Sequence, residues 1–174
     1  MTGLTGVVTQ VAAGTMGLAL RSDGTVWQWG ITASTPVRVP GLTGVTKISA
    51  GTSFNLALRS DGTVWAWGDN DRGQQLRPAG QDPSSSPATR PVSMFAAGSG
   101  ITQLSAGWSH MLALKSNGTV LAWGSNIFGQ LGNGSRDPVI GPVQVTGLTA
   151  AMQVAAGARG FSLAVHTVPY LVGL

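Results

Sequence analysis

The sequence predicts an all-β protein built from repeated four-stranded antiparallel units, and three observations lead there. The first is composition: of 174 residues 26 are glycine, only 9% are charged, and glutamate is absent. Amphipathic helices draw on Glu, Lys and Arg for their wet faces, whereas short strands joined by tight turns draw on glycine. An apolar content of 43% is enough for a real core. The second is repetition. VTQVAAGTMGLALRSDGTVWQWG ends at Gly30, VTKISAGTSFNLALRSDGTVWAWG at Gly68 and ITQLSAGWSHMLALKSNGTVLAWG at Gly124. A fourth copy, AMQVAAGARGFSLAV, starts at Ala151 and then loses the pattern. The third is a turn dipeptide in each full copy: Asp23-Gly24, Asp61-Gly62 and Asn117-Gly118. Such pairs tolerate positive φ at both central positions of a tight hairpin.

Each element can be read in order. Val-x-x-Val-Ala-Ala-Gly is a first short strand ending at a glycine. Leu-Ala-Leu-Arg-Ser is the second, and Thr-Val-Trp-x-Trp, after the turn, is the third. The segments PVRVPGLTG from Pro36, PVSMFAAGSG from Pro91 and PVQVTGLTA from Pro142 supply the fourth. A proline at the start of that strand fits an edge, where one ladder donor can be spared. The equivalent glycines Gly14, Gly51, Gly107 and Gly157 give periods of 37, 56 and 50 residues, the scale of blades or solenoid turns. One domain, 1–174, thus divides into repeats of roughly 7–44, 45–100 and 101–150 with a partial copy at 151–174.

The third copy carries a resemblance. Ser105-Ala106-Gly107-Trp108-Ser109-His110, Asn117-Gly118-Thr119-Val120 and the run from Trp123 to Gly134, WGSNIFGQLGNG, together resemble the repeat of the regulator of chromosome condensation family. The resemblance covers nearly the whole chain and implies a β-propeller with about one blade per repeat. Propellers of that family usually have seven blades. This chain is therefore expected to be a partial propeller of about three blades plus an incomplete fourth. The first copy lacks the Asn-x-x-Gly-Gln-Leu-Gly loop, the second reads Gly73-Gln74-Gln75-Leu76 there, and Pro169 falls near the expected turn glycine of the fourth.

An arc of blades leaves two blade faces in water, each expected to expose several hundred Å² of apolar surface, a scale that marks interaction sites. Three outcomes follow: an excerpt of a longer propeller, two copies closing a ring because twice three and a half is seven, or an open head-to-tail assembly. The excerpt is preferred, so the remaining blades or a second copy are expected partners. The apolar tail from Val168 to Leu174 is either a strand docking on a neighbour or a frayed terminus.

Chemistry is sparse. His110 has apolar counterparts in Met16, Phe54 and Phe161, a core register unsuited to a catalytic base. His166 lies beyond the last well-matched strand and has no histidine or carboxylate at ligand spacing. Asp69-Asn70-Asp71-Arg72-Gly73 has the oxygen density of a calcium loop but lacks the bidentate glutamate, so a solvated loop is the better reading. No Gly-x-Ser-x-Gly elbow or phosphate-cradling Gly-Lys-Ser/Thr occurs. Asn117-Gly118-Thr119 and Asn133-Gly134-Ser135 match glycosylation acceptors, yet turn chemistry accounts for both. No catalytic residue, metal or cofactor is expected. The net charge of +4 comes from scattered basic residues, so nucleic acid is not the expected partner. Zero cysteine leaves the redox compartment open. No apolar run nears the length of a membrane span. A secreted or cell-surface bacterial setting is the expectation, with any signal peptide outside this chain.

Variation concentrates in the loops after the third strand: 31–35, 69–90 and 125–141. A constant framework with variable loops describes a scaffold that carries a binding surface. The candidate partner-binding residues are Asp69, Asp71, Arg72, Arg77, Arg90, Asn126, Phe128 and Arg136. The framework residues Trp29, Trp67 and Trp123 are read as wedges packing one blade on the next, and Gly24, Gly62 and Gly118 as turn formers. The first indole position, Trp27 and Trp65, accepts Leu121 and so asks for apolar bulk. The function expected is a non-catalytic scaffold for protein partners. The family resemblance implies guanine-nucleotide exchange with chromatin contact as one alternative, and the open faces imply a self-assembling structural subunit as another.

Overall fold

A computed structural model describes residues 4–31, 33–70, 75, 91–137 and 139–167; fourteen strands and no helix occur among the described residues. Blade 1 consists of β1 (Val8–Ala13), β2 (Gly17–Arg21), β3 (Val26–Gly30) and β4 (Ala33–Arg38). Blade 2 consists of β5 (Val45–Ala50), β6 (Phe54–Arg59), β7 (Val64–Gly68) and β8 (Val92–Phe95). Blade 3 consists of β9 (Ile101–Ala106), β10 (His110–Lys115), β11 (Val120–Gly124) and β12 (Val139–Gln144). In each, neighbours in sequence are neighbours in the antiparallel sheet. Among the described residues the fourth copy forms β13 (Ala151–Ala156) and β14 (Ser162–His166), a two-stranded sheet. This is the expected partial propeller.

Three sequence readings need correction. The hairpin turn is one residue longer than a two-residue turn with positive φ at both centres. Gly24 N–H donates to the Arg21 carbonyl at 2.9 Å, and the glycine alone is left-handed, at φ 75°. Gly62 and Gly118 repeat this at 81° and 79°. That is a turn followed by a one-residue bulge, the three-residue hairpin solution. The fourth-strand prolines also differ: Pro36 and Pro142 lie inside β4 and β12, where the pairing to the third strand shifts register. A bulge on an edge strand spares the missing N–H as well as a strand start does. Finally, β14 reaches His166, which pairs with Ala151.

The first strands line the inner edge, where β1, β5, β9 and β13 follow one another. An inner edge leaves backbone groups needing partners, and side chains of the preceding blade supply them. Gln10 donates Nε2 to the Ile48 carbonyl at 2.8 Å and accepts Ile48 N–H at 2.9 Å. Gln103 does the same for Val154, at 3.1 and 3.2 Å. The repeating glycines have a matching purpose. A Cβ on Gly51 would come within 2.5 Å of the Gly107 carbonyl oxygen, and one on Gly107 within 2.8 Å of that of Gly157. Close backbone approach excludes any side chain there.

The β13–β14 pair occupies a full inner position even though it is half a blade wide.

Three apolar clusters fill the junctions. Between blades 1 and 2 lie Leu18, Val26, Leu42, Ile48, Ala57 and Trp67. Between blades 2 and 3 lie Leu56, Val64, Leu104, Ala113 and Trp123. The third joins Leu112, Val120 and Leu131 to Ala151 and Val154, without an indole. Because blades 2 and 3 have a neighbour on each face, β6 and β10 are buried at five consecutive positions.

Candidate functional site

The turns between first and second strands share one end of the molecule with the long loops after the third. Their backbones touch: Asp69 N–H donates to the Ser53 carbonyl and Ser125 N–H to that of Ser109, both at 2.8 Å.

The 125–137 loop is built around Asn126, which is fully buried. Its Oδ1 accepts Leu131 N–H at 3.1 Å, and its Nδ2 donates to Asn133 Oδ1, the Ser135 carbonyl and the Asp137 carbonyl at 3.0 to 3.2 Å. Leu131, also fully buried, nails the loop into the third cluster. Asn126 was a candidate for partner contact; the structure instead places it inside the loop, where it satisfies four backbone and side-chain groups. Asn70 repeats the clasp, accepting Gln75 N–H at 2.7 Å, while Gln75 Nε2 donates to the Gly68 carbonyl. Gln75 thus takes the place of Leu131.

Phe128 and Arg136 are exposed on this loop. Asp69 accepts Ser53 Oγ at 3.2 Å. Asp71, Arg72, Arg77 and Arg90 lie outside the described residues. Two further exposed residues join the loop face, Trp108 at 40% and Ile127 at 48%, with Phe128 at 60%. Sequence reasoning passed over Trp108, yet a signal existed: the other copies carry Thr15, Thr52 and Ala158 at its position. At this position the repeat itself asks only for a small residue.

The feature nearest to catalytic geometry is His110, whose Nε2 lies 3.0 Å from Ser162 Oγ. Ser162 Oγ donates to the Gln130 carbonyl at 2.7 Å. With its one proton committed there, the hydroxyl accepts from His110 and the imidazole cannot act as its base. His110 is fully buried, and burial, opposed by the Phe161 carbonyl, pushes its pKa down to about 4. The pair is a clasp joining blade 3, its loop and β14. No grouping of three or more His, Cys, Asp or Glu suited to a metal occurs among the described residues. Among them, no helix is long and apolar enough to cross a membrane.

The framework residues sit as follows. Trp67 and Trp123 are fully buried at the two complete junctions, and Trp29, on the open side of blade 1, is half-buried. Trp67 Nε1 donates to Gln28 Oε1 of blade 1 at 2.8 Å, and Trp123 meets Phe95 edge-on at 5.4 Å. Trp27 and Trp65 cover the turns. Trp65 Nε1 donates to Thr63 Oγ1 at 3.0 Å, and Arg59 lies 5.9 Å from the ring centre. Thr63 in turn donates to Asp61, holding that carboxyl below its ordinary range; Asp23 and Thr25 behave alike.

Comparison with known proteins gives a consistent picture. Residues 45–74 and 101–130 match one family model described as Regulator of chromosome condensation (RCC1) repeat, and 117–165 match a second of the same description, together more than half of the chain. Yeast RCC1 (Prp20), in its crystal structure with Kap60, superposes with a TM-score of 0.79 at 24% identity, over 95% of this chain and 43% of that one. Prp20p from Saccharomyces cerevisiae gives 0.80 at 23% identity, over 95% and 44%. The ultraviolet-B receptor UVR8 of Arabidopsis thaliana is 49% identical over 45 residues, 26% of this chain and 10% of that protein. The likeness to the solved structures concerns the fold. The chain spans less than half the length of these relatives.

Proposed function

The chain belongs to the regulator of chromosome condensation repeat family, and from that premise we propose that it is a non-catalytic propeller scaffold binding protein partners through its loop face. The observation that carries this reading is the exposure of Ile127 and Phe128 on backbone held by the Asn126 clasp, with Trp108 exposed on the adjoining turn, whose Ser109 carbonyl accepts Ser125 N–H. Exposed aromatic anchors on a rigid support are what interface hot spots are made of. Arg136, exposed on the same loop, would give that apolar surface a cationic edge. Prp20 is described bound to Kap60 and by its binding to Gsp1p and histones, which supports protein recognition as a use of this architecture.

The test is capture by the full chain, compared with a Trp108→Ser, Phe128→Ser double variant of unchanged circular dichroism. A protein bound by the wild type should lose at least tenfold in affinity for the variant. Equal binding by both would remove the loop face from the account. Accelerated nucleotide release from a small GTPase would replace the scaffold reading with exchange activity.

A further inference from the structure

The junction beyond blade 3 holds a cavity of about 350 Å³. Its walls include Leu112, Val120, Leu148, Val154 and Ala164. By repeat position these are the counterparts of Leu18, Val26, Leu42, Ile48 and Ala57, which enclose the indole of Trp67 between blades 1 and 2. The same wall closes on Trp123 between blades 2 and 3. In both filled cases the indole arrives on the third strand, hydrogen-bonded along the second. Here, among the described residues, the second strand, β14, has only β13 beside it. Ala164 on this strand is correspondingly open, whereas its counterparts Ala57 and Ala113 are fully buried.

We propose that this cavity and the free edge of β14 form a socket for an extended segment of another polypeptide, which adds as a third strand and inserts a tryptophan. The internal repeats define the occupant's chemistry. Residues opposite β14 follow the pairing Met111↔Trp123, Leu112↔Ala122 and Leu114↔Val120. That asks for a valine, a large apolar residue, a small residue and a tryptophan in succession, as in Val64-Trp65-Ala66-Trp67. Strand addition of this kind takes affinity from the backbone and specificity from alternate side-chain pockets. A polar group also awaits the segment. Gln130 lines the cavity, is 4% exposed, and its Nε2 has no hydrogen-bond partner. As a donor, it would be met by a backbone carbonyl of the added segment, since Gln130 Oε1 already accepts Phe128 N–H at 2.9 Å.

The chain's own continuation is a poor occupant. The sequence places Pro169 where Gly24, Gly62 and Gly118 close the other hairpins. Those glycines need positive φ and donate a turn-closing N–H, and proline supplies neither.

The test uses a fluorescein-labelled peptide with the sequence of residues 63–68, TVWAWG, titrated into the full chain by anisotropy. A second peptide has alanine at the position of Trp67. The first should bind, and the alanine peptide at least tenfold more weakly. Ala164→Trp, made at an exposed position, fills the socket and should weaken the first peptide by at least tenfold. Absence of binding at millimolar concentration, or equal binding of both peptides, overturns the proposal. So does binding that appears only after residues 168–174 are removed, which would mean that the chain fills its own socket.

Discussion

The junction between blades 1 and 2 and the one between blade 3 and β13–β14 share a wall but not a content. At the first, Trp67 is closed in on every side and its N–H is held by Gln28. At the second, matching residues face a cavity, and Phe161, the counterpart of buried Phe54, is 51% exposed. The wall comes from the second and third strands of one blade, the connection, and the first two strands of the next, whereas the filling comes from the next blade's third strand. The repeat therefore builds a socket whether or not anything occupies it.

The sharpest way to break the comparison is to empty a filled junction. Trp67→Ala should cost about 3–5 kcal/mol, the usual range for a large aromatic lost from a core, measured as a shift in the urea unfolding midpoint. Trp29→Ala, the same residue on the half-open face of blade 1, should cost less than half as much. Equal losses would mean that burial between blades is not what these indoles contribute.

A smaller effect comes from pH, and it should strike the far junction. His110, clasped to Ser162 of β14, titrates in the fold at about 4, below the roughly 6.5 of an unfolded histidine. Above pH 6.5 both states are neutral and stability does not depend on this group. As pH falls from 6.5 towards 4, only the unfolded chain takes up the proton, so folding loses up to about 3 kcal/mol; below 4 the loss is complete. Unfolding midpoints at pH 7.5 and 4.5 should therefore converge in His110→Phe, which carries the residue found at Phe54. A pH dependence unchanged by that substitution would assign it to other groups.

Smallest is a gain. Ala150 is the one non-glycine with positive φ among the described residues, at 52°, where the other copies have Gly44 and Gly100 at 66° and 74°. Ala150→Gly should raise stability by up to about 1 kcal/mol, read from thermal denaturation. A loss would show that the strain is already relieved.

These contrasts also separate what the sequence disclosed from what it hid. Strand order, the turn glycines and the blade-ending indoles were legible, because each is a local pattern that recurs in the three full copies. The loop after Trp123 was legible as a loop, but Asn126 was misplaced on its surface: a buried amide clasp and an exposed contact have the same sequence. Gln10 and Gln103 went unread because each acts on the backbone of the next blade, 38 or 51 residues away, a contact that appears only once the blades are stacked. Gly14, Gly51, Gly107 and Gly157 were visible as markers of the period, while their reason, backbone packed on backbone across blades, belongs to the assembled arc. Trp108 was overlooked because it breaks the repeat, and a search for recurring positions passes over a residue that occurs once.

Hydrogen exchange tests the central comparison most directly, since β6 and β14 are the same strand in two surroundings. In the free chain, amides of β6 should exchange only with global unfolding, while those of β14 exchange by local opening, at least a hundredfold faster. Equal protection of the two strands would contradict the account, because the edge of β14 and the socket beside it would then already be covered.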